Sequence, residues 1–127
     1  MRVNPKSFVV VLTFVFILLR TNGPAFAEAN ASTYTVDQAS AHIGETASVV
    51  GVVTEVFMSN RGNIFLDFGG KYPRQAFTAV IFSRDATKFP GVMALRGMTV
   101  AVLGEIKLYK GGPEIILSTP DQLKVGD

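Results

Sequence analysis

The sequence predicts an all-β domain, a small five-stranded Greek-key barrel with a short N-terminal helix and a short helical connection between strands three and four. Three observations carry that expectation. Two long β-branched runs, 47–58 and 98–109, each hold an internal glycine, Gly51 and Gly104, where a closed sheet would have to bend. The apolar runs come as three strands, a short polar piece, then two more strands. None of the 127 residues is cysteine, so a domain of this size must be held by packing and pairing, without disulfides.

The first 27 residues read as a secretory signal. Arg2 and Lys6 supply the positive start, and Phe8 to Leu19 is apolar apart from Thr13. Ala25-Phe26-Ala27 sets small residues at the cleavage site, so the expected cut lies between Ala27 and Glu28. The apolar run is shorter than the roughly 20 residues a membrane helix takes. No membrane span is therefore expected after cleavage, and no cysteine follows for lipid attachment. The expected location is periplasmic or secreted. Loss of Arg2, Lys6 and Arg20 takes the basic residues from 12 to 9 against 10 acidic ones, a net charge of −1. That balance excludes a generally basic protein that coats nucleic acid.

Residues 28–42 read as a flexible lead-in and a short helix, and residues 43–125 as the barrel domain. Thr35 and Gln38 have the spacing of a capping box, and Gly44 is placed to end the helix. The first strand is expected over 47–58. Ser59-Asn60-Arg61-Gly62 turns the chain into a second strand over 63–68, and Gly69 to Gln75 is a loop. The third strand, 76–82, is apolar on nearly every residue and reads as buried on both faces. Ser83 is placed to cap a short helical piece that Pro90-Gly91 disrupts, and Val92 to Leu95 forms an apolar plug. The fourth strand runs over 98–109, Lys110-Gly111-Gly112 turns, and the fifth covers 113–118.

The runs Val50-Gly51-Val52-Val53, Ile64-Phe65-Leu66-Asp67-Phe68 and Phe77 to Phe82, with Val102-Leu103-Gly104-Glu105-Ile106 and Pro113-Glu114-Ile115, resemble the OB-fold. Phe65-Leu66-Asp67-Phe68 resembles its anticodon-binding-type branch. Tyr72 to Thr78, together with Tyr109 to Ile115, is similar to small bacterial OB modules in exported proteins and beside secreted nucleases. The resemblance implies a nucleic-acid-binding module, with a protein partner or a secreted nuclease as its companion.

No catalytic constellation is evident. His42 is the single histidine and has no matching acid or nucleophile spacing. Glu55 and Asp67 could lie near one another, but isolated strand carboxylates usually just face outward. The glycine pairs lack the strand–loop–helix context of a phosphate loop. Neither enzymatic activity nor a metal or cofactor is expected.

Binding is better signalled. The ligand face of this fold spans strands two and three, between the loop joining strands one and two and the loop joining four and five. Arg61 lies in the first loop. Lys107, Tyr109 and Lys110 lie around the second, and Lys71, Tyr72 and Arg74 lie in the connection between strands two and three. Five of the nine cations are thus expected at one rim. If Ile64, Leu66 and Phe68 point inward, Phe65 and Asp67 point outward, and Thr78 shares the outer side with Val80 and Phe82. An exposed ring among cations suits single-stranded nucleic acid, because bases stack while cations follow the phosphates. Phe65 fits that role or a core position equally, and Phe82 fits burial better. The expected function is an exported, non-catalytic module that binds single-stranded nucleic acid weakly and with little sequence preference. The alternative is an envelope protein- or oligosaccharide-interaction module.

Overall fold

The computed structural model describes residues 31–126, so the expected signal and its cut lie outside the described residues. The strands are β1 (Ser32–Thr35), β2 (Thr46–Met58), β3 (Ile64–Phe68), β4 (Phe77–Ile81), β5 (Thr99–Glu105), β6 (Lys107–Tyr109), β7 (Gly112–Ile116) and β8 (Leu123–Val125). They join in one sheet with the order β6-β7-β4-β3-β2-β5-β8, and β1 pairs with β2 off this path. The class is all-β as the sequence predicts. The sheet nevertheless has eight strands instead of five, and its hydrogen-bonding path is open.

Each added strand has a local cause. The expected fourth strand divides at Ile106, whose side chain is fully buried. Its N–H donates to Glu45 O at 2.8 Å and its carbonyl accepts from Gly44 N–H at 2.7 Å, which takes it off the ladder. Ser32–Thr35, expected to be flexible lead-in through Tyr34 and a helix cap at Thr35, runs parallel to β2 from Ala47 to Val50. It satisfies a row of backbone groups that β5, on the other side of β2, cannot reach. The tail adds β8 against β5.

The helical pieces are 3-10 turns. Val36–His42 follows Thr35, whose N–H donates to Gln38 Oε1 at 2.9 Å, as the capping-box spacing predicts. Gly44 ends it at φ 95°. Ser83–Lys88 and Val92–Ala94 connect β4 to β5. Ser83 does not cap the first of these; it lies inside the turn, and its N–H donates to Asn63 Oδ1 at 2.8 Å. Phe89, Val92 and Leu95 join the buried cluster of inward strand residues such as Val53, Leu66 and Ile115. Among the described residues, no helix is long and apolar enough to cross a membrane.

The change of partner and register in β2 falls after Gly51. Residues 46–52 pair with β5, residues 53–58 pair with β3, and the register slips between Val53 and Glu55. Thr54 is the extra residue of a β-bulge. Before it Ala47, Val49 and Val53 point inward; after it Val56 packs against the core and the odd-numbered Glu55 and Phe57 point out. Gly51 and Gly104 sit inside regular ladder and serve close approach instead. A Cβ on Gly51 would stand 2.6 Å from Val36 Cγ1, and one on Gly104 would stand 2.7 Å from Ile115 Cγ2.

Gly104 lies where β5 and β7 come together, and there one side chain replaces a ladder. Gln122 Nε2 donates to Leu103 O of β5 at 2.8 Å and to Ile116 O of β7 at 3.1 Å. Its Oε1 accepts from Ser118 N–H at 2.7 Å and Thr119 N–H at 3.0 Å. Gln122→Ala leaves the part-buried Leu103 and Ile116 carbonyls without this donor and should destabilise the domain by about 1–3 kcal/mol. Gly104→Val drives a side chain into Ile115 and should cost about 1–3 kcal/mol. Thermal melting checks both, and a wild-type curve for Gln122→Ala would remove its role as a clasp.

Candidate functional site

The register lines up two rows of side chains across the outer face of the sheet. Glu55 pairs with Asp67, Asp67 with Thr78, Thr78 with Glu114, and Glu114 with Lys107, crossing β2, β3, β4, β7 and β6. One step along the strands, Phe57 pairs with Phe65, Phe65 with Val80, and Val80 with Ile116. The first row is polar and mostly acidic; the second is apolar.

Within the apolar row, Phe57 and Phe65 stack with ring centroids 6.3 Å apart. Phe65 is half-buried, and Phe57 is 53 % exposed. Phe65 therefore belongs to the outer face, not to the core. Val80 is buried and Phe82 is half-buried, with the Arg84 guanidinium 5.4 Å from the Phe82 ring centre. The two phenylalanines form a platform on which a flat apolar group can stack.

Asp67 is an anchor, not an open ligand group. It is 4 % exposed. Its Oδ1 accepts from the Thr78 hydroxyl at 3.2 Å, that hydroxyl accepts from Gln75 Nε2 at 3.1 Å, and the carboxylate also accepts the Tyr72 backbone N–H. Asp67 therefore ties down the loop between β3 and β4. The Thr54 hydroxyl helps, lying 2.9 Å from Asp67 O and 2.6 Å from Gly70 O. The loop tightens at Gly70, where a Cβ would stand 2.8 Å from Arg74 O. Thr78, also expected to meet a ligand, is buried beneath this loop. Burial pushes the Asp67 carboxyl above its ordinary range; the bonds from Thr78 and Tyr72 oppose this, and Glu55 adds to it. Burial likewise raises Glu114, against the pull of Lys107.

The cations do not share one rim. β3 and β4 are antiparallel, and β7 runs parallel to β4. The turn carrying Arg61 thus lies at the Ile64 end of the face, with Arg84. Lys71, Tyr72, Arg74, Tyr109 and Lys110 lie at the other end, beside Phe68, Phe77 and Gly112. Lys107 stands on the edge strand, 3.4 Å from Glu105. Tyr72 and Tyr109 are both exposed, and Lys110 Nζ is 5.4 Å from the Tyr109 ring centre. Lys110 and Gly111 form a two-residue hairpin turn with φ of 51° and 84°. A lysine in that left-handed region is strained by roughly 1–2 kcal/mol relative to glycine. Its ammonium is presented beside the tyrosine at that expense.

Phe57, Arg84 and Glu114 were not among the expected site residues. Strict alternation from Ala47 would turn Phe57 inward, and only the bulge at Thr54 brings it out. Glu114 becomes part of the face through parallel pairing of β4 and β7. His42 lies elsewhere, with Nδ1 2.8 Å from Glu45 and its ring stacked on Tyr34 at 3.7 Å. The bonds from Tyr34 and His42 hold Glu45 below the usual carboxylate range. Among the described residues, no three His, Cys, Asp or Glu side chains gather as a metal site.

A meander of three strands and a parallel pairing of the third with the last long strand are consistent with an OB-type fold. No family model matches the chain, and no curated protein matches it in sequence. In three dimensions it is similar to a chain assigned as an aspartyl-tRNA synthetase from Leishmania major, with TM-score 0.50 and 10 % identity over 76 % of this chain. The match spans only 21 % of that chain, and the likeness shows the fold alone. The chain is also similar to one assigned as a nucleic acid-binding lipoprotein from Klebsiella pneumoniae, with TM-score 0.49 and 16 % identity over 80 % of this chain and 97 % of that one. A third similar structure is asparaginyl-tRNA synthetase from Pyrococcus horikoshii, with TM-score 0.44 and 21 % identity over 67 % of this chain and 20 % of that one.

The raised carboxyls set a pH dependence. When the folded state holds a proton more tightly than the unfolded chain, stability falls as pH climbs from the ordinary carboxylate range through the raised folded value. Asp67→Asn keeps an oxygen for Thr78 and Tyr72 but removes the charge. Its melting temperature should vary less than that of the wild type between acid and neutral pH. Parallel profiles would show that Asp67 ionises as freely in the fold as in the unfolded chain.

Proposed function

We propose that this chain is an exported, non-catalytic module that binds single-stranded nucleic acid on the outer face of β2, β3 and β4. The observation that carries the reading is the open Phe57–Phe65 stack, placed between cations at both ends of the strands. Bases stack on the two rings, and the backbone runs from Arg61 and Arg84 toward Lys71, Arg74 and Lys110. Glu55 and Glu114 repel phosphate at the middle of the path, so affinity is low and its salt slope shallow. The apolar leader of the first 27 residues supports export to the periplasm or the medium.

The same two carboxylates favour a second reading. A partner protein with basic side chains, or an oligosaccharide rich in donors, would meet Glu55 and Glu114 without phosphate repulsion. A secreted nuclease would be a partner of the first kind.

Fluorescence anisotropy with a labelled single-stranded oligonucleotide at low salt separates the readings. Phe57→Ala should weaken binding by about fivefold or more, given ~1–3 kcal/mol per stacked base, with little change in melting temperature. Lys110→Gly should weaken binding while raising the melting temperature, because it removes a cation and relieves the turn. No binding at tens of micromolar protein would refute nucleic acid as the ligand.

A further inference from the structure

We infer that the site discriminates among bases and prefers guanine, through the carboxylate of Glu55 beside the Phe57–Phe65 stack; this rests on the nucleic-acid reading above. Glu55 lies two residues before Phe57 on β2, beyond the bulge, so both side chains leave the same face. Phe57 pairs with Phe65 and Glu55 pairs with Asp67, which makes Glu55 a diagonal neighbour of Phe65. Diagonal neighbours lie about 7–8 Å apart, within reach of long and aromatic side chains. A base stacked on the two rings therefore turns an edge toward Glu55.

The two nearest carboxylates differ in availability. Asp67 is covered by its own loop and holds Thr78 and the Tyr72 N–H. Glu55 is half-buried, and its ion-pair partner Lys71 Nζ stands 3.7 Å away, beyond hydrogen-bond length. Lys71 is exposed and can turn to a phosphate when one arrives.

An ionised carboxylate accepts hydrogen bonds and donates none. Guanine alone among the bases offers two adjacent donors on its Watson–Crick edge, N1–H and the N2 amino group, which match the two carboxylate oxygens. Adenine and cytosine each set one amino group beside a ring-nitrogen acceptor. Thymine and uracil set one N–H between two carbonyl oxygens, which would face the carboxylate. Single-stranded bases are read on these edges once they are splayed and stacked.

The test uses four labelled DNA nonamers with four thymidines on each side of a central guanine, adenine, cytosine or thymine. Wild-type protein should bind the guanine nonamer about tenfold more tightly than the all-thymine one. Glu55→Gln should reduce that preference to twofold or less, without weakening the all-thymine nonamer or changing the melting temperature. Equal wild-type affinities for the four nonamers, still lost in Phe57→Ala, would overturn the inference and leave the nucleic-acid reading standing. A guanine preference that persists in Glu55→Gln would overturn the assignment to Glu55. No anisotropy change with any nonamer would refute both the reading and the inference.

Discussion

One extra residue in one strand decides what this protein can present. At Thr54, β2 leaves β5 and takes up β3, and the inserted residue reverses which side chains face the core. Without the slip, Glu55 and Phe57 would point into the buried cluster and Val56 would point to solvent. With it, Phe57 meets Phe65 on the outer face and Val56 packs inside. The Thr54 hydroxyl is used as well, because it reaches the carbonyls of Asp67 and Gly70 where the next loop begins. The bulge thus shapes the ligand face and holds the loop beside it.

That loop explains how a buried acid can serve a binding face without touching a ligand. Asp67 is removed from water by the segment it holds down, and that removal raises its carboxyl. The benefit is placement. Lys71, Tyr72 and Arg74 stand at one end of the strands because Tyr72 is tied to Asp67 and Gln75 to Thr78. The face that results has rings at one end, tyrosines with cations at the other, and carboxylates between them. Such a pattern admits a polyanion only where its charge can avoid the middle, which is why stacking carries more of the proposed recognition than charge does.

Where the sheet does not pair, side-chain chemistry substitutes. Gln122 reaches two carbonyls of β5 and β7 with its amide nitrogen and takes two N–H groups with its oxygen. Gly104 allows those strands to come close enough for one amide to reach both. A domain without cysteines is thereby held at its seam by one polar side chain and one missing Cβ.

The sequence by itself determined the β class, the places of the main strand runs, the capped turn after Thr35 and the apolar plug, and left Phe65 open between the core and the outer face. These follow from local periodicity and turn chemistry, which neighbouring residues set. It did not determine the strand count, the direction of Phe57 or the burial of Asp67. It also placed the cations together, whereas the parallel pairing of β4 with β7 sends Arg61 and Lys110 to opposite ends. Each of these depends on register between segments far apart in the chain. A slip of one residue, as at Thr54, changes nothing in the local pattern but turns every later side chain of the strand to the other face. Only the tertiary pairing fixes that register, and with it the composition of the site.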